Sequence, residues 1–196
     1  MMSEKPVLRP GRIDDAAILA ELVNAAGEGL PLYLWQHMAS SGETAWDVGR
    51  QRAARETGGF SYRNAIMIER EGAPVGTLVG YEIPDVVEPI PADAPPMFVP
   101  LLQLENLAPG TWYINVLAVL PAYRRLGLGS ELLQLAETLG RTNACRGMSV
   151  IVSNANPGAR SLYERTGYSE AARRPMVKEG WLNDGTEWVL LTKNLT

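Results

Sequence analysis

Val116-Leu117-Ala118-Val119-Leu120-Pro121-Ala122-Tyr123-Arg124-Arg125-Leu126-Gly127-Leu128-Gly129 is the stretch whose reading decides the fold. Its first residues are apolar and partly β-branched, the pattern of a buried strand. Pro121 stops that strand, because proline has no N–H to give to a ladder. Beyond the turn, Leu128, Leu132, Leu133, Leu135, Ala136 and Leu139 recur with the spacing of one helical face. The stretch reads strand, tight turn, helix, with two glycines and two arginines where the helix begins. The first N–H groups of a helix have no intrahelical partner, and the helix dipole puts partial positive charge there. Glycine lets the backbone approach a bound oxygen without a Cβ in the way. Arg124 and Arg125 add forked cationic donors. The turn therefore predicts a site for a ligand that carries phosphates. Ordinary turn chemistry with solvated arginines produces the same pattern, so the turn alone leaves both readings open. It is not a Walker loop, since no Gly-Lys-Ser/Thr follows. Nor is it the dinucleotide Gly-x-Gly-x-x-Gly, because Leu132 stands at the third glycine.

The following residues narrow the choice. Met148 to Ser153 is a second apolar strand. Asn154-Ala155-Asn156-Pro157 is a turn and helix-start signal, and Gly158 to Tyr168 reads as a short helix ended by Gly167. On these residues the chain resembles the GNAT superfamily, the acetyl-coenzyme A-dependent N-acetyltransferases. The family pattern is a strand, Arg/Gln-x-x-Gly-x-Gly/Ala, a helix, a strand, then Asn-x-x-Ala-x-x-x-Tyr-x-x-x-Gly-Phe/Tyr. This sequence has Arg124-x-x-Gly127-x-Gly129 and then Asn156-x-x-Ala159-x-x-x-Tyr163-x-x-x-Gly167-Tyr168. The motifs stand in the family's order, and the matched region, Thr111 to Tyr168, is 58 of 196 residues.

The resemblance implies an α/β chain with the GNAT fold: a central mixed, mostly antiparallel sheet splayed between its fourth and fifth strands, with helices on both faces. It implies acetyl-coenzyme A as cosubstrate, its pantetheine arm entering where those strands part. Backbone groups of Leu117, Ala118 and Val119 would pair with the pantetheine amides, and one of their N–H groups would polarise the thioester carbonyl. Amides from Arg124, Arg125, Leu126, Gly127, Leu128, Gly129 and Ser130 would hold the pyrophosphate. Asn156 would hydrogen-bond the pantetheine arm from the other side. Tyr163 would lie beside the sulfur and protonate the leaving thiolate. Asn156 also fits a helix N-cap and Tyr163 a core aromatic, structural readings that stand behind the functional ones.

No general base is visible. Some family members carry a glutamate early on the fourth strand; here Tyr113 occupies that position, with Asn115 two residues on, and neither is a base near neutral pH. Glu82 and Glu105 are carboxylates nearby in sequence with no fixed geometry. A water chain, or an amine that arrives partly deprotonated, would also serve. His37 lies on an apolar helical stretch and stays outside the catalytic set. Trp35 and Trp181 fall in regions that wall the acceptor site in the family, although core packing accounts for them as well.

With 196 residues, 46% hydrophobic and 20% charged, residues 1–196 read as one compact N-acetyltransferase domain. No apolar run is long enough to span a membrane. The opening Met1-Met2-Ser3-Glu4-Lys5-Pro6 lacks the apolar core of a signal peptide, which points to the cytoplasm. A single cysteine, Cys145, excludes an internal disulfide, and with one histidine no metal site is expected. Net charge of −4 speaks against nucleic acid as a partner.

In chain order, the patterns predict a strand at Val7–Arg9 and a helix capped by Asp14 with Ile18, Leu19, Leu22 and Val23 on one face. Leu30–Met38 follows as a second helix, and Thr44 with Asp47 starts a third. Ala65–Arg70 and Ala73–Tyr81 form a hairpin around Glu71-Gly72. Pro84 to Pro100 contains six prolines and reads as an irregular surface loop, ordered or mobile. Val99–Leu107 is a short helix, and Tyr168–Val177 with Glu187–Lys193 a final hairpin. The function expected is direct acetyl transfer from acetyl-coenzyme A to a primary amine of a small molecule or peptide, with neither nucleic acid nor membrane as partner and a homodimer compatible. The alternative is a non-catalytic acyl-coenzyme A-binding or sensing module on the same fold.

Overall fold

The computed structural model describes residues 5–195; Met1–Glu4, most of the stretch read above for a leader, and Thr196 lie outside the described residues. The strands are β1 (Val7–Pro10), β2 (Ala65–Arg70), β3 (Ala73–Glu82), β4 (Thr111–Val119), β5 (Gly147–Ser153), β6 (Ser169–Pro175) and β7 (Glu187–Asn194). The helices are α1 (Ala16–Ala26), α2 (Leu30–Met38), α3 (Ala45–Ala53), α4 (Val99–Glu105), α5 (Leu128–Thr142) and α6 (Pro157–Arg165). The sheet order is β1-β2-β3-β4-β5-β7-β6. β4 and β5 are parallel, while β1–β2, β2–β3, β5–β7 and β6–β7 are antiparallel. The chain is thus α/β with a mixed, mostly antiparallel sheet, as expected. The β4–β5 register runs from Thr111↔Gly147 to Ile114↔Val150 and ends there, although β4 continues to Val119. β5 stays paired with β7 as far as Ser153↔Trp188.

The chain divides into two compact units. One is the chain up to Gly80 with Asn115–Leu135; the other is Tyr81–Ile114 with the chain from Ala136 onward. In the first unit, α1 does not start at an Asp14 cap. A 3-10 turn at Ile13–Asp15 precedes it. The Asp15 carboxylate accepts from the Arg12 N–H (2.7 Å) and from two guanidinium N–H groups of Arg9 (2.7 and 2.8 Å). Arg9 also donates to Glu69 on β2 (2.6 Å), so a cation supplied by β1 decides which aspartate turns inward. That cation holds the Asp15 carboxyl below its usual range. α3 begins as its sequence predicts, with the Asp47 N–H donating to the Thr44 hydroxyl (3.1 Å) and the Thr44 N–H donating to the Asp47 carboxylate (2.9 Å). The core of this unit gathers Leu19, Leu22, Val23, Trp35, Met67, Val79 and Val116. Trp35 stacks on Phe60 (centroids 5.9 Å, 17°) and meets Trp46 edge-on. A Cβ at Gly49 would lie 2.5 Å from the Trp35 ring, so α3 needs a glycine there for the indole to seat. Trp35 is a packing residue.

In the second unit, β5 lies between β4 and β7 and buries Met148 and Val150 beside Leu190 and Leu191 of β7. Trp181, on the β6–β7 connection, stacks on Trp188 (5.9 Å, 9°) and is also buried. The proline-rich residues 84–98 form no helix or strand, as expected. Their base is pinned by Ile83 N–H to Thr111 O (2.8 Å) and Gly110 N–H to Ile83 O (3.0 Å). Arg146 holds Asp85 (2.5 Å), and the Asn106 amide donates to Glu88 O (3.0 Å). α4 ends at Glu105 rather than Leu107, because Leu107 and Ala108 bond back to Leu104 and Glu105 in tighter three-residue turns.

Candidate functional site

From Asn115 onward β4 alternates: Asn115 is exposed, Val116 and Ala118 are buried, and Leu117 and Val119 are partly exposed. The Leu120 N–H donates to Val75 O (2.8 Å) on β3. Backbone polar groups alternate sides along a strand, so Ala118 presents its own toward β3, while Leu117 and Val119 present theirs at the opposite edge. The Ala118 carbonyl oxygen lies so near Gly76 of β3 that a Cβ there would come within 2.7 Å. Arg124 Nε donates to Val119 O (3.2 Å), fastening the turn to the end of the strand.

The turn itself is left-handed at Arg125 (φ 61°) and Gly127 (φ 84°). Glycine adopts this region freely; an arginine there is uncommon. The bond that opens α5 runs from the Glu131 N–H to Gly127 O (3.0 Å). The amide N–H groups of Arg125, Leu126, Gly127, Leu128, Gly129 and Ser130 have no hydrogen-bond partner among the described residues. Leu128 is buried and anchors the helix, whereas Arg124 to Gly127 are exposed. A Cβ at Gly127 would meet no atom within 4 Å, so this face of the turn is open. Partnerless amides, a helix N-terminus and two guanidinium groups on an open turn suit a pyrophosphate.

Asn156 and Tyr163 belong to the second unit. Asn156 caps α6: its Oδ1 accepts from the Ala159 N–H (3.0 Å), with Pro157 at the first helical position. The cap uses only the oxygen, and the side-chain NH2 has no partner among the described residues. Tyr163, in the middle of α6, is 4% exposed and packs at 5.3 Å from the Tyr168 ring. Its hydroxyl makes no hydrogen bond among the described residues, and burial pushes its pKa well above the usual phenol range. It is therefore a proton donor at any physiological pH. The Tyr168 hydroxyl, by contrast, is fully buried and unpartnered, its ring lying under the Lys193 ammonium, which is itself bonded to Glu137 (2.7 Å).

Tyr113 is buried edge-on against Tyr81 (5.5 Å). His37 sits exposed on α2, its Nδ1 2.8 Å from Tyr33 O. Of the two carboxylates nearby in sequence, Glu82 is exposed and Glu105 is the unusual one. Burial alone raises the Glu105 carboxyl to about 7. Glu105 lines an open pocket of about 340 Å³ in the second unit, walled also by Tyr81, Ile83, Val86, Ile90 and Leu102. The sequence held one signal for it: Glu105 is the single charge in Val99-Pro100-Leu101-Leu102-Gln103-Leu104-Glu105. The cavity itself is built by the irregular loop, which no periodicity announces.

An α/β chain with this strand order and an amide-lined turn between β4 and α5 has the features of a GNAT acetyltransferase. The profile of the "Acetyltransferase (GNAT) family" matches residues 32–168, and the chain belongs to that family. Acetyl transfer is the family's general chemistry. No curated protein matches the chain in sequence. Solved structures similar to it include an N-acetyltransferase from Staphylococcus aureus Mu50 (18% identity, 95% of this chain and 100% of that one, TM-score 0.66). Another is the ribosomal-protein-S18-alanine N-acetyltransferase from Escherichia coli (14%, 98% and 95%, 0.60). A third is a GNAT family acetyltransferase from Elizabethkingia anophelis with acetyl-CoA bound (16%, 97% and 99%, 0.60). At these identities the likeness is one of fold.

Proposed function

We propose that this protein moves an acetyl group from acetyl-coenzyme A directly to a primary amine of a small molecule or peptide. The observation that carries this reading is the run of six partnerless amides from Arg125 to Ser130, beside Arg124 and Arg125 and at the start of α5. That array matches the two phosphates of a coenzyme A pyrophosphate in charge and donor number. The acetyl-coenzyme A bound to the Elizabethkingia anophelis neighbour supports the same donor. Leu117 and Val119 pair with the pantetheine amides through the edge of β4 that faces away from β3, and one of their N–H groups polarises the thioester carbonyl. Ala118, committed to β3, keeps that edge in register. The free NH2 of Asn156 donates to the pantetheine arm while its oxygen caps α6.

In the transfer step the neutral amine nitrogen attacks the thioester carbon, the C–S bond breaks and the sulfur leaves with the electron pair. Tyr163 gives the sulfur its proton, and the proton lost by nitrogen leaves through solvent or a neighbouring base. Burial raises the phenol's pKa and disfavours a bare thiolate formed beside it in the same way, so the phenol gives its hydrogen bond, and then its proton, as charge develops on sulfur. Residues 1–196 act as one acetyltransferase domain: β4 and α5 each run through both compact units, and the family match spans both.

The test is thermal unfolding with acetyl-coenzyme A, followed by thiol release over a panel of amines. At about 100 times its dissociation constant the ligand adds about 2.7 kcal/mol of stability. Binding with no thiol release from any amine would assign the non-catalytic acyl-coenzyme A-binding module instead. No thermal shift at millimolar acetyl-coenzyme A would overturn the reading.

A further inference from the structure

The Glu105 carboxylate is the feature of the second unit that ordinary packing does not explain. It is largely buried, and neither a hydrogen bond nor an ion pair reaches it among the described residues. A buried carboxylate without a partner is costly, and folds normally supply one. Here the surroundings supply none. Glu82 of β3 and Glu88 of the loop, the other charged residues lining the cavity, are themselves carboxylates. On β6, which packs against α4, Arg174 is taken by Gln103 (3.1 Å) and Arg173 by Glu170 and Glu187. On β7 Lys193 is taken by Glu137, and β5 has no charged residue. Glu105 instead lines an open pocket of about 340 Å³, large enough for a small organic ligand.

The walls state what that ligand is. Tyr81, Ile83, Val86, Ile90 and Leu102 offer an apolar lining, with three carboxylates and no cation among the lining residues. The site is complementary to a molecule with an apolar body and a cationic head. The loop is tied in place rather than laid loosely over the opening, by Ile83 to Thr111 and Gly110 and by Asn106 to Glu88. One wall also touches β4, since the Tyr81 ring abuts Tyr113.

We propose that the cavity between the proline-rich loop and α4 is the acceptor pocket, that it takes amphipathic primary amines such as arylalkyl- or alkylamines, and that Glu105 receives their ammonium group. This rests on the acetyl-transfer reading for the amine's fate but not for its binding. The ammonium supplies the opposite charge that the fold withholds, so ligand and carboxylate are each ionised on binding; before transfer the ammonium passes one N–H proton to the Glu105 carboxylate, and the neutral amine left behind is the nucleophile. Discrimination against a neutral isostere follows, because an alcohol leaves the carboxylate uncompensated.

The experiment uses the full chain. Butylamine, hexylamine, phenethylamine and spermidine, with 2-phenylethanol as neutral control, are titrated calorimetrically into wild type, Glu105→Gln and Ile90→Trp without acetyl-coenzyme A. Thiol release is then measured with acetyl-coenzyme A present. Hexylamine or phenethylamine binds wild type and 2-phenylethanol does not. Glu105→Gln weakens that binding, and raises KM for the same amine, on the order of 10- to 100-fold. Ile90→Trp, which fills the cavity from its apolar side, weakens phenethylamine more than butylamine. Acetyl-coenzyme A affinity stays unchanged in both variants. Amine binding that depends on Glu105 without thiol release refutes acetyl transfer and leaves the pocket standing. Thiol release with an unchanged KM in Glu105→Gln, or no binding of any amine to wild type, overturns the pocket.

Discussion

Glu105→Gln tests whether a partnerless buried carboxylate weakens this fold, and the pH dependence isolates it. The carboxyl titrates near 4.5 in water and about 7 in the folded chain. The folded state therefore holds the proton more tightly than the unfolded state. By linkage, the penalty is absent below pH 4.5, grows between 4.5 and 7, and is complete above 7. Each pH unit of that window is worth about 1.4 kcal/mol, so the ionised carboxylate costs the fold about 3 kcal/mol. Between pH 5 and pH 8 wild type loses roughly 2–3 kcal/mol that the glutamine variant keeps. Glutamine has the same shape, so packing changes cancel in the comparison. For a chain of this length the difference amounts to roughly 5–10 °C in Tm. Urea unfolding of both proteins at pH 5, 6, 7 and 8 reads it directly, as two stability curves that diverge as pH rises. Parallel curves would refute the reasoning, by showing that the folded carboxylate is solvated or paired. A saturating amine that occupies the pocket should close the gap from the wild-type side.

Tyr163→Phe removes a hydroxyl with no hydrogen bond to lose, so Tm and acetyl-coenzyme A affinity should hold while turnover drops by roughly 10²-fold; wild-type turnover where chemistry limits the rate makes Tyr163 a packing residue. Gly127→Val adds a branched side chain at φ 84°, in open space, and should abolish coenzyme A binding with the far-ultraviolet circular dichroism kept; unchanged affinity would remove this turn from the phosphate site. Gly49→Ala sets a methyl group 2.5 Å from the Trp35 ring and should destabilise the protein by about 1–3 kcal/mol in urea unfolding, a cost that a neutral result would disprove. Asp15, held ionised by Arg9, stabilises the fold above its unfolded pKa of 3.8 and ceases to do so as pH falls through its lower folded value. Asp15→Asn should therefore lose stability at pH 6 and flatten the acid limb of the unfolding profile, and an unaltered acid limb would exclude the carboxylate as its source.

The parts of this fold that were legible from residues alone are those governed by local rules. Leu30–Met38, the Thr44–Asp47 capping box and the hairpin around Glu71-Gly72 stand where periodicity and turn chemistry put them. So does the strand–turn–helix at Val116–Gly129, because a proline, two glycines and a leucine stripe all act within a few residues of themselves. The two spaced motifs pointed to the family to which the chain belongs. Asn156 was legible as a cap because the cap is a three-residue interaction.

What the sequence could not decide depends on partners remote along the chain. Asp14 and Asp15 are equivalent as local caps; Arg9, presented by β1 and shared with Glu69, chose Asp15. Whether Ala118 or its neighbours offer backbone groups at the outer edge of β4 was decided by which of them faces β3, a matter of register. Glu105 reads in sequence as the last residue of a short helix, and only a loop folded back from residues 84–91 turns it into a carboxylate in an apolar cavity. Burial is a property of what surrounds a residue, and proline-rich segments carry no period from which those surroundings can be foreseen. Sequence determined the elements and the chemistry of the β4–α5 turn; tertiary structure alone decided which carboxylate was deprived of water, because desolvation is contributed by every neighbouring element at once.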